Sequence, residues 1–187
     1  MNTVYSRQNT DIALECQTSA RFYYNRADLL DNFYWLGILI TIVSKVIWKN
    51  SIWVDYSLIL WFIATIVLDN YISQYTSKAS EFKQIFDEFV FGWRKEISPN
   101  TIKAMHILKE NHKNFFNIQI SHTGNDKPRG VKDWYEFVDD KENQQITLKK
   151  AIGESIYYDT SINSILIVLL VISSSLTLLY FRDATIT

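Results

Sequence analysis

Three apolar runs separated by polar sequence constrain the fold of this chain more than any other feature. The third run, residues 161–181 (SINSILIVLLVISSSLTLLYF), contains no charged residue and is followed by Arg182. A transmembrane helix needs about 20 predominantly apolar residues to cross about 30 Å of hydrocarbon. The run therefore predicts a membrane-spanning helix, although the mean hydropathy of the whole chain is close to zero.

The first two runs are shorter and are joined by a short polar link. They cover residues 33–48 (FYWLGILITIVSKVIW) and 52–68 (IWVDYSLILWFIATIVL). Lys45 can snorkel to the headgroups, and Asp55 is expected at the membrane interface because it lies about one turn into its run. Aromatic residues mark the ends of the first run, as is typical of membrane–water boundaries. Together the two runs predict a transmembrane hairpin.

The polar sequence on both sides of this hairpin is predicted to be helical. Residues 10–32 contain neither Gly nor Pro, so we expect an amphipathic helix that begins at Thr10 or Asp11 and runs into the first span. Its helical spacing is carried by Ile12, Cys16, Ser19, Tyr23 and Ala27. After the second span, an apolar stripe predicts that the helix continues beyond the membrane. The stripe consists of Phe82, Ile85, Phe86, Phe89, Val90 and Trp93.

Three further segments follow. Residues 101–116 predict another helix, with Asn100 as its cap and Pro99 as the break before it. Residues 121–130 (SHTGNDKPRG) are rich in turn-forming residues and predict a linker. Residues 143–160 are predicted to be helical and to lead into the third span.

The predicted fold class is therefore mainly α: a multi-pass helical membrane protein with a transmembrane hairpin, a helical cytosolic lobe and a third span. The predicted parts are an N-terminal amphipathic cytosolic helix (1–32), the hairpin (33–69), the lobe (70–160), the third transmembrane helix (161–181) and a tail (182–187). Basic residues before the first span and after the second favour a cytosolic N-terminus and lobe. Because three spans would leave the C-terminus outside, we expect a fourth span to be missing.

No pattern in the sequence indicates catalysis. His106, His112 and His122 lack the spacing of a metal pair, and Cys16 is the only cysteine. Glycines are scattered singly, so no phosphate-binding loop is present. We expect no metal, no cofactor and no enzymatic activity, and the net charge of -1 argues against a DNA partner.

A cluster of basic and aromatic residues in the predicted lobe is the candidate ligand site. It comprises Lys127, Arg129, Lys132, Trp134 and Tyr135. Guanidinium groups bind phosphate bidentately and aromatic rings stack on bases, so this combination suits a nucleotide. The alternative is that Trp134 anchors the segment on the amphipathic helices while the charges stay solvated. Exchange of Arg129 and Trp134 for alanine would distinguish the two readings.

Polar residues within the spans form a second candidate set, for a pore lining or for helix–helix contact. They are Ser173, Ser174, Ser175 and Thr177, with Asp55 as a further pore candidate. Small residues allow close helix approach. The alternative is that the serines bond back to their own helix carbonyls.

Four segments, in order, resemble a family of bacterial effectors. They are ARFYYNRADLL before the hairpin, KASEFKQIFDEFVF after it, the Lys-Asp-Trp-Tyr motif within GVKDWYEF, and ESIYYDTSINSILIVLL at the third span. Together they are similar to the SMODS-associated four-transmembrane effector family. This sequence departs from the family pattern after the aromatic-Asp entry, where Ser161, Ile162 and Asn163 replace arginines. A related two-transmembrane effector family ranks second, since it leaves the third span unexplained.

The resemblance implies a role in CBASS anti-phage signalling. It implies a multi-pass protein of the bacterial inner membrane whose partners are the bilayer, a cyclic oligonucleotide second messenger and further copies of itself. The effector would bind the nucleotide made by a cytosolic synthetase, oligomerise and disrupt or permeabilise the membrane. The alternatives are a membrane scaffold that recruits a cytosolic partner, and an ion-channel subunit.

Overall fold

The computed structural model describes residues 4–138 and 142–157. Of these residues 78% are helical and none lies in a strand, which confirms the mainly α fold class. The described chain forms two compact units. Residues 6–134 form the first, and residues 4, 5, 135–138 and 142–157 belong to the second.

Two very long helices dominate the first unit. After the short helix α1 (Val4–Gln8), helix α2 covers Asp11–Ile47 and α3 covers Ile52–Phe91. Thr10 is the N-cap residue of α2, as predicted. In both long helices the polar segment and the apolar run form one continuous helix. This confirms the prediction that the helix before the first run leads into it and that the helix of the second run continues beyond it. At about 1.5 Å per residue, the helices are about 55 and 60 Å long, roughly twice the thickness of a bilayer core.

The apolar part of each long helix lies outside any packed core. Each helix contains an 18-residue window that is long and apolar enough to cross a membrane, and these windows are 0% and 6% buried. Within the pair, the indole of Trp61 fills the space that a Cβ at Gly37 would occupy, so the helices approach closely there. Exposed apolar surface of this extent is typical of contact with a membrane or with another protein.

The packed core lies against the polar ends of the same two helices. Helix α2 contributes small buried side chains, such as Ala13 and Ala20, and α3 contributes large ones, such as Phe82 and Phe86. Cys16 Sγ donates a hydrogen bond to the Phe82 carbonyl at 3.2 Å. Small residues on α2 thus leave room for the large side chains of α3 at this end of the pair.

The predicted stripe on α3 is correct except at its end. Phe82, Ile85, Phe86 and Val90 are buried and Phe89 is half-buried, but Trp93 is 66% exposed. The helix ends at Phe91 because Gly92 adopts the left-handed conformation, with φ of 82°. The chain therefore turns before Trp93 can join the stripe, and Phe91 is buried instead.

The helix predicted over 101–116 is two helices, α4 (Pro99–Asn111) and α5 (Lys113–Ser121). The predicted cap was wrong: the Ser98 hydroxyl accepts a hydrogen bond from Thr101 N at 3.2 Å, and Pro99 lies in the first turn. Proline suits that position because its missing N–H would have no partner there. His112 separates the two helices with a non-helical backbone.

The second unit contains helical residues 144–157, in agreement with the helix predicted from residue 143. Tyr135, Val138 and Ala151 of this unit are buried. Glu136 N donates a long hydrogen bond to Glu154 Oε1 at 3.4 Å. The predicted third span, at 161–181, lies outside the described residues.

Candidate functional site

The segment GVKDWYEF is fastened by its backbone to the end of α5 and the following turn. The hydrogen bonds run from Gly130 N to Thr123 O (2.7 Å), from Val131 N to Gln119 O (2.8 Å) and from Lys132 N to His122 O (3.0 Å). The approach is so close that a Cβ at Gly130 would overlap the His122 carbonyl. Position 130 therefore requires glycine for space.

Asp133 fastens the same segment to the N-terminal end of the first unit. Asn9 Nδ2 donates to Asp133 Oδ1 at 2.7 Å, and Asp133 N donates to Asn9 Oδ1 at 3.1 Å. Asp133 has φ of 51°, a left-handed backbone that Asp and Asn tolerate better than most residues. The reciprocal pair holds the backbone in this conformation.

The two aromatic residues of the motif differ in accessibility. Trp134 is half-buried, and Lys83 Nζ of α3 lies 5.9 Å from its ring centroid. Tyr135 is only 2% exposed. A base cannot stack on the Tyr135 ring while it is covered, whereas part of the Trp134 surface remains open. Trp134 therefore combines a contact with α3 with some open surface, whereas Tyr135 is enclosed.

The three cations of the candidate site, Lys127, Arg129 and Lys132, are all exposed. The fold adds Arg21 of α2, which the sequence pattern did not assign to the site. Its Nη1 donates to the Gly130 carbonyl at 2.8 Å, across a separation of 109 residues. Such a long-range contact leaves no signal in local spacing, so only the fold could place Arg21 beside Arg129.

Arg21 and Arg129 act on each other electrostatically in this part of the chain. Burial lowers the pKa of the half-buried Arg21, and the neighbouring charge of Arg129 lowers it further. Neither arginine takes part in any of the ion pairs found in residues 4–138 and 142–157. Within the described ranges, two like charges thus influence each other and neither is paired with a carboxylate.

The loop that carries these cations is held in place by side chains. Gln119 Nε2 donates to the Arg129 carbonyl at 3.0 Å. Asp126 Oδ2 accepts from both the backbone N and the hydroxyl of Thr123, at 2.6 and 2.9 Å. These two hydrogen bonds lower the pKa of Asp126. The turn is therefore ordered around its own hydrogen bonds.

The histidines are dispersed. His112 stacks on Phe22 with 4.4 Å between ring centroids, and His122 Nδ1 lies 2.9 Å from the Ile118 carbonyl. His106 lies on α4 near Glu110, whose pKa is lowered chiefly by its hydrogen bond from Lys113. No group of metal-ligating side chains occurs within the described ranges.

A cleft of about 480 Å³ opens between α2 and the pair α4 and α5. It is lined by Asp11, Glu15, Lys109, Asn117, Ile120 and Ser121. Lys109 Nζ lies 2.5 Å from Glu15 Oε1, so the cation in this cleft is already neutralised. The cleft shares no residue with the basic cluster.

Of the polar residues proposed for the spans, only Asp55 is described, and it forms an ion pair with Lys45 of α2. Ser173, Ser174, Ser175 and Thr177 lie outside the described residues.

Comparison with protein families gives a match to the SMODS-associating 4TM effector domain over residues 2–181. No curated protein and no solved structure matches the chain.

Proposed function

The chain belongs to the SMODS-associating 4TM effector family, and from this membership we propose that it senses a cyclic oligonucleotide, oligomerises and permeabilises the bacterial inner membrane. The family is one of CBASS-associated effectors. The proposed function has three steps, which are sensing of the nucleotide, assembly of several copies and permeabilisation of the membrane.

The exposed apolar halves of α2 and α3 are the observation that carries the membrane step. Helices of similar composition in soluble proteins bury their apolar windows, whereas these windows are 0% and 6% buried. Exposed contiguous apolar surface of this extent marks contact with a membrane or with other chains. Both contacts are needed by an effector that assembles within a bilayer.

The basic corner on the packed end of α2 supports the sensing step. Arg21 and Arg129 supply forked donors for phosphate, and Lys127 and Lys132 add mobile positive charge nearby. Trp134 retains some exposed surface beside them. In this proposal Trp134 serves mainly to dock the loop, and Tyr135 serves only in packing.

The orientation proposed for the chain has the N-terminus and the packed ends of both long helices in the cytosol, where a synthetase releases its product. Arg21 and the first apolar run belong to the same uninterrupted helix, Asp11–Ile47. Binding at the packed end would therefore bias the arrangement of the apolar end. The proposal involves no catalysed reaction, because differential binding to the assembled state suffices to shift the equilibrium.

Leakage from liposomes tests this function directly. The full chain is reconstituted in liposomes that contain a self-quenched dye, and a panel of cyclic dinucleotides and trinucleotides is added. Dye release that depends on one of these compounds is the expected result. Release without any nucleotide would favour an ion-channel subunit, and no release with any compound would favour a membrane scaffold.

A further inference from the structure

Arg21 and Arg129 form a pair of guanidinium groups on adjoining surfaces of α2 and the loop after α5. Arg21 Nη1 donates to the carbonyl of Gly130, the residue that follows Arg129, and the charge of Arg129 acts on Arg21. Arg129 is exposed and Arg21 is half-buried.

The backbone around this pair is fixed by five hydrogen bonds, one of which runs from Gly130 N to Thr123 O at 2.7 Å. Two hold the carbonyls of Arg129 and Gly130, through Gln119 Nε2 and Arg21. Two more hold the N–H groups of Val131 and Lys132 at 2.8 and 3.0 Å. Donors on a fixed backbone lose little freedom when a ligand binds.

The charge of the pair has no counterpart among the described residues. All ion pairs there use other cations, namely Lys45, Lys83, Arg94, Lys109, Lys113 and Lys150. Repulsion from Arg129 lowers the pKa of Arg21, in addition to the larger effect of burial. An anion between the two groups would relieve that repulsion and accept their forked donors.

We propose that Arg21 and Arg129 together bind one phosphate group of a soluble ligand, as the anchoring contact of the sensor. The inference rests on the proposed function for the identity of that ligand as a cyclic oligonucleotide. It adds that recognition begins at the phosphodiester, through Arg21 on the helix that leads to the membrane. Planar forked donors match phosphate oxygens bidentately, which a lysine cannot do.

The position of Arg21 along α2 favours a soluble phosphate over a lipid headgroup. Twelve residues separate it from Phe33, at the start of the first apolar run, which is about 18 Å along a helix. The headgroup layer extends only about 5 to 8 Å beyond the hydrocarbon on each side. On an upright helix Arg21 therefore lies about 10 Å beyond the headgroup layer, a position that favours a soluble phosphate over a lipid one.

The test uses the full chain in neutral phosphatidylcholine nanodiscs, with inorganic phosphate and pyrophosphate as probes. The thermal unfolding midpoint is measured against probe concentration, with sodium chloride at matched ionic strength as the reference. We expect both probes to raise the midpoint of the wild type more than chloride does. An equal response to chloride would mean that no phosphate site exists and would overturn the proposal.

Variants assign the response to the two arginines. Arg129→Gln should shift the concentration for half-maximal response upward by about 10- to 100-fold, the effect of losing a charge-assisted hydrogen bond. Arg21→Lys, which keeps the charge and removes the fork, should weaken the response in the same direction. Arg26→Gln is the matched control, because Arg26 is exposed on the same helix and should leave the response unchanged. A wild-type response in Arg129→Gln would overturn the proposal.

A leakage assay distinguishes failure of this site from failure of the proposed function. Phosphatidylglycerol nanodiscs test whether the bound phosphate belongs to a lipid. If a cyclic oligonucleotide causes leakage that Arg129→Gln leaves unaltered, the site is wrong while the function stands. If phosphate binds through the arginines but no cyclic oligonucleotide causes leakage, the function is wrong while the site stands. If phosphatidylglycerol nanodiscs raise the midpoint of the wild type more than that of Arg129→Gln, the soluble-ligand assignment is overturned.

Discussion

Lys45 Nζ lies 2.5 Å from Asp55 Oδ1, and this ion pair joins the last turns of α2 to the first turn of α3. The side chains are 42% and 52% exposed. Sequence reasoning treated the two residues separately, with Lys45 directed to the headgroups and Asp55 at the interface. As an ion pair, the two residues neutralise each other's charge beside the apolar runs and hold the helices together at the turn.

Removal of this pair should have a small, measurable effect. We expect Lys45→Ala and Asp55→Ala each to lower the free energy of unfolding in detergent by up to about 1 kcal/mol, the range for exposed ion pairs. The double variant should lose less unfolding free energy than the two single variants together, because the same ion pair is broken in each. Thermal unfolding of the four chains gives the coupling energy. Strict additivity would show that the pair does not contribute to stability.

The contact between Gly37 and Trp61 predicts that α2 accepts no side chain at this point. Gly37→Ala should destabilise the chain by about 1 to 3 kcal/mol, since the new Cβ would overlap the Trp61 indole. Gly153→Ala is the matched control, because nothing lies within 4 Å of a Cβ there. The control should be stabilised by up to about 1 kcal/mol through helix propensity. Equal behaviour of both variants in detergent unfolding would contradict the close approach.

The reciprocal hydrogen bonds between Asn9 and Asp133 predict which substitutions the Lys-Asp-Trp-Tyr motif tolerates. Asp133→Ala removes an acceptor and places alanine at a φ of 51°, so we expect a loss of about 1 to 3 kcal/mol. Asp133→Asn keeps the acceptor and tolerates this backbone, and should cost much less. Urea unfolding measures both. If the two variants are equally destabilised, charge rather than the hydrogen-bonded turn is what matters at position 133.

Cys16 predicts a pH dependence at the alkaline end. Burial raises the pKa of the Cys16 thiol from 9.0 to about 12. The folded chain thus retains the proton over a range in which the unfolded chain releases it. The contribution to stability is complete below about pH 9 and decreases as the pH rises towards 12, by up to about 1.4 kcal/mol per pH unit. The difference in unfolding free energy between the wild type and Cys16→Ser isolates this effect. A difference that stays constant between pH 8 and 11 would refute it.

The sequence predicted the long helices well because their signals are periodic and extended. The stripe on α3 and the break-free run after Thr10 each repeat over several turns, and the helices formed as expected. Helix ends depend instead on single residues. The left-handed Gly92 excluded Trp93 from the stripe, and the hydroxyl of Ser98 took the capping position that Asn100 was predicted to hold.

The candidate site was predicted only in part, for a different physical reason. Arg129 and its neighbours are close in sequence, so their clustering was visible. Arg21 and Asn9 reach the same segment from more than 100 residues away, through hydrogen bonds to Gly130 and Asp133. Trp134 and Tyr135 are neighbouring aromatic residues that the sequence could not distinguish. In the fold Trp134 keeps some exposed surface, whereas Tyr135 is buried.

Helix α2 has no break between Asp11 and Ile47, so a rotation at one end is transmitted to the other. A stiff rod converts a small rotation at one end into a larger displacement at the other. With about 30 Å between Ala27 and Ile47, a rotation of about 5° moves the far end by about 2.5 Å. At Gly37, about 15 Å from Ala27, the same rotation moves the backbone by about 1.3 Å, which is large for a contact as close as that of Gly37 with Trp61. On the proposed function, a ligand that shifts Arg21 would therefore also change the packing around Gly37.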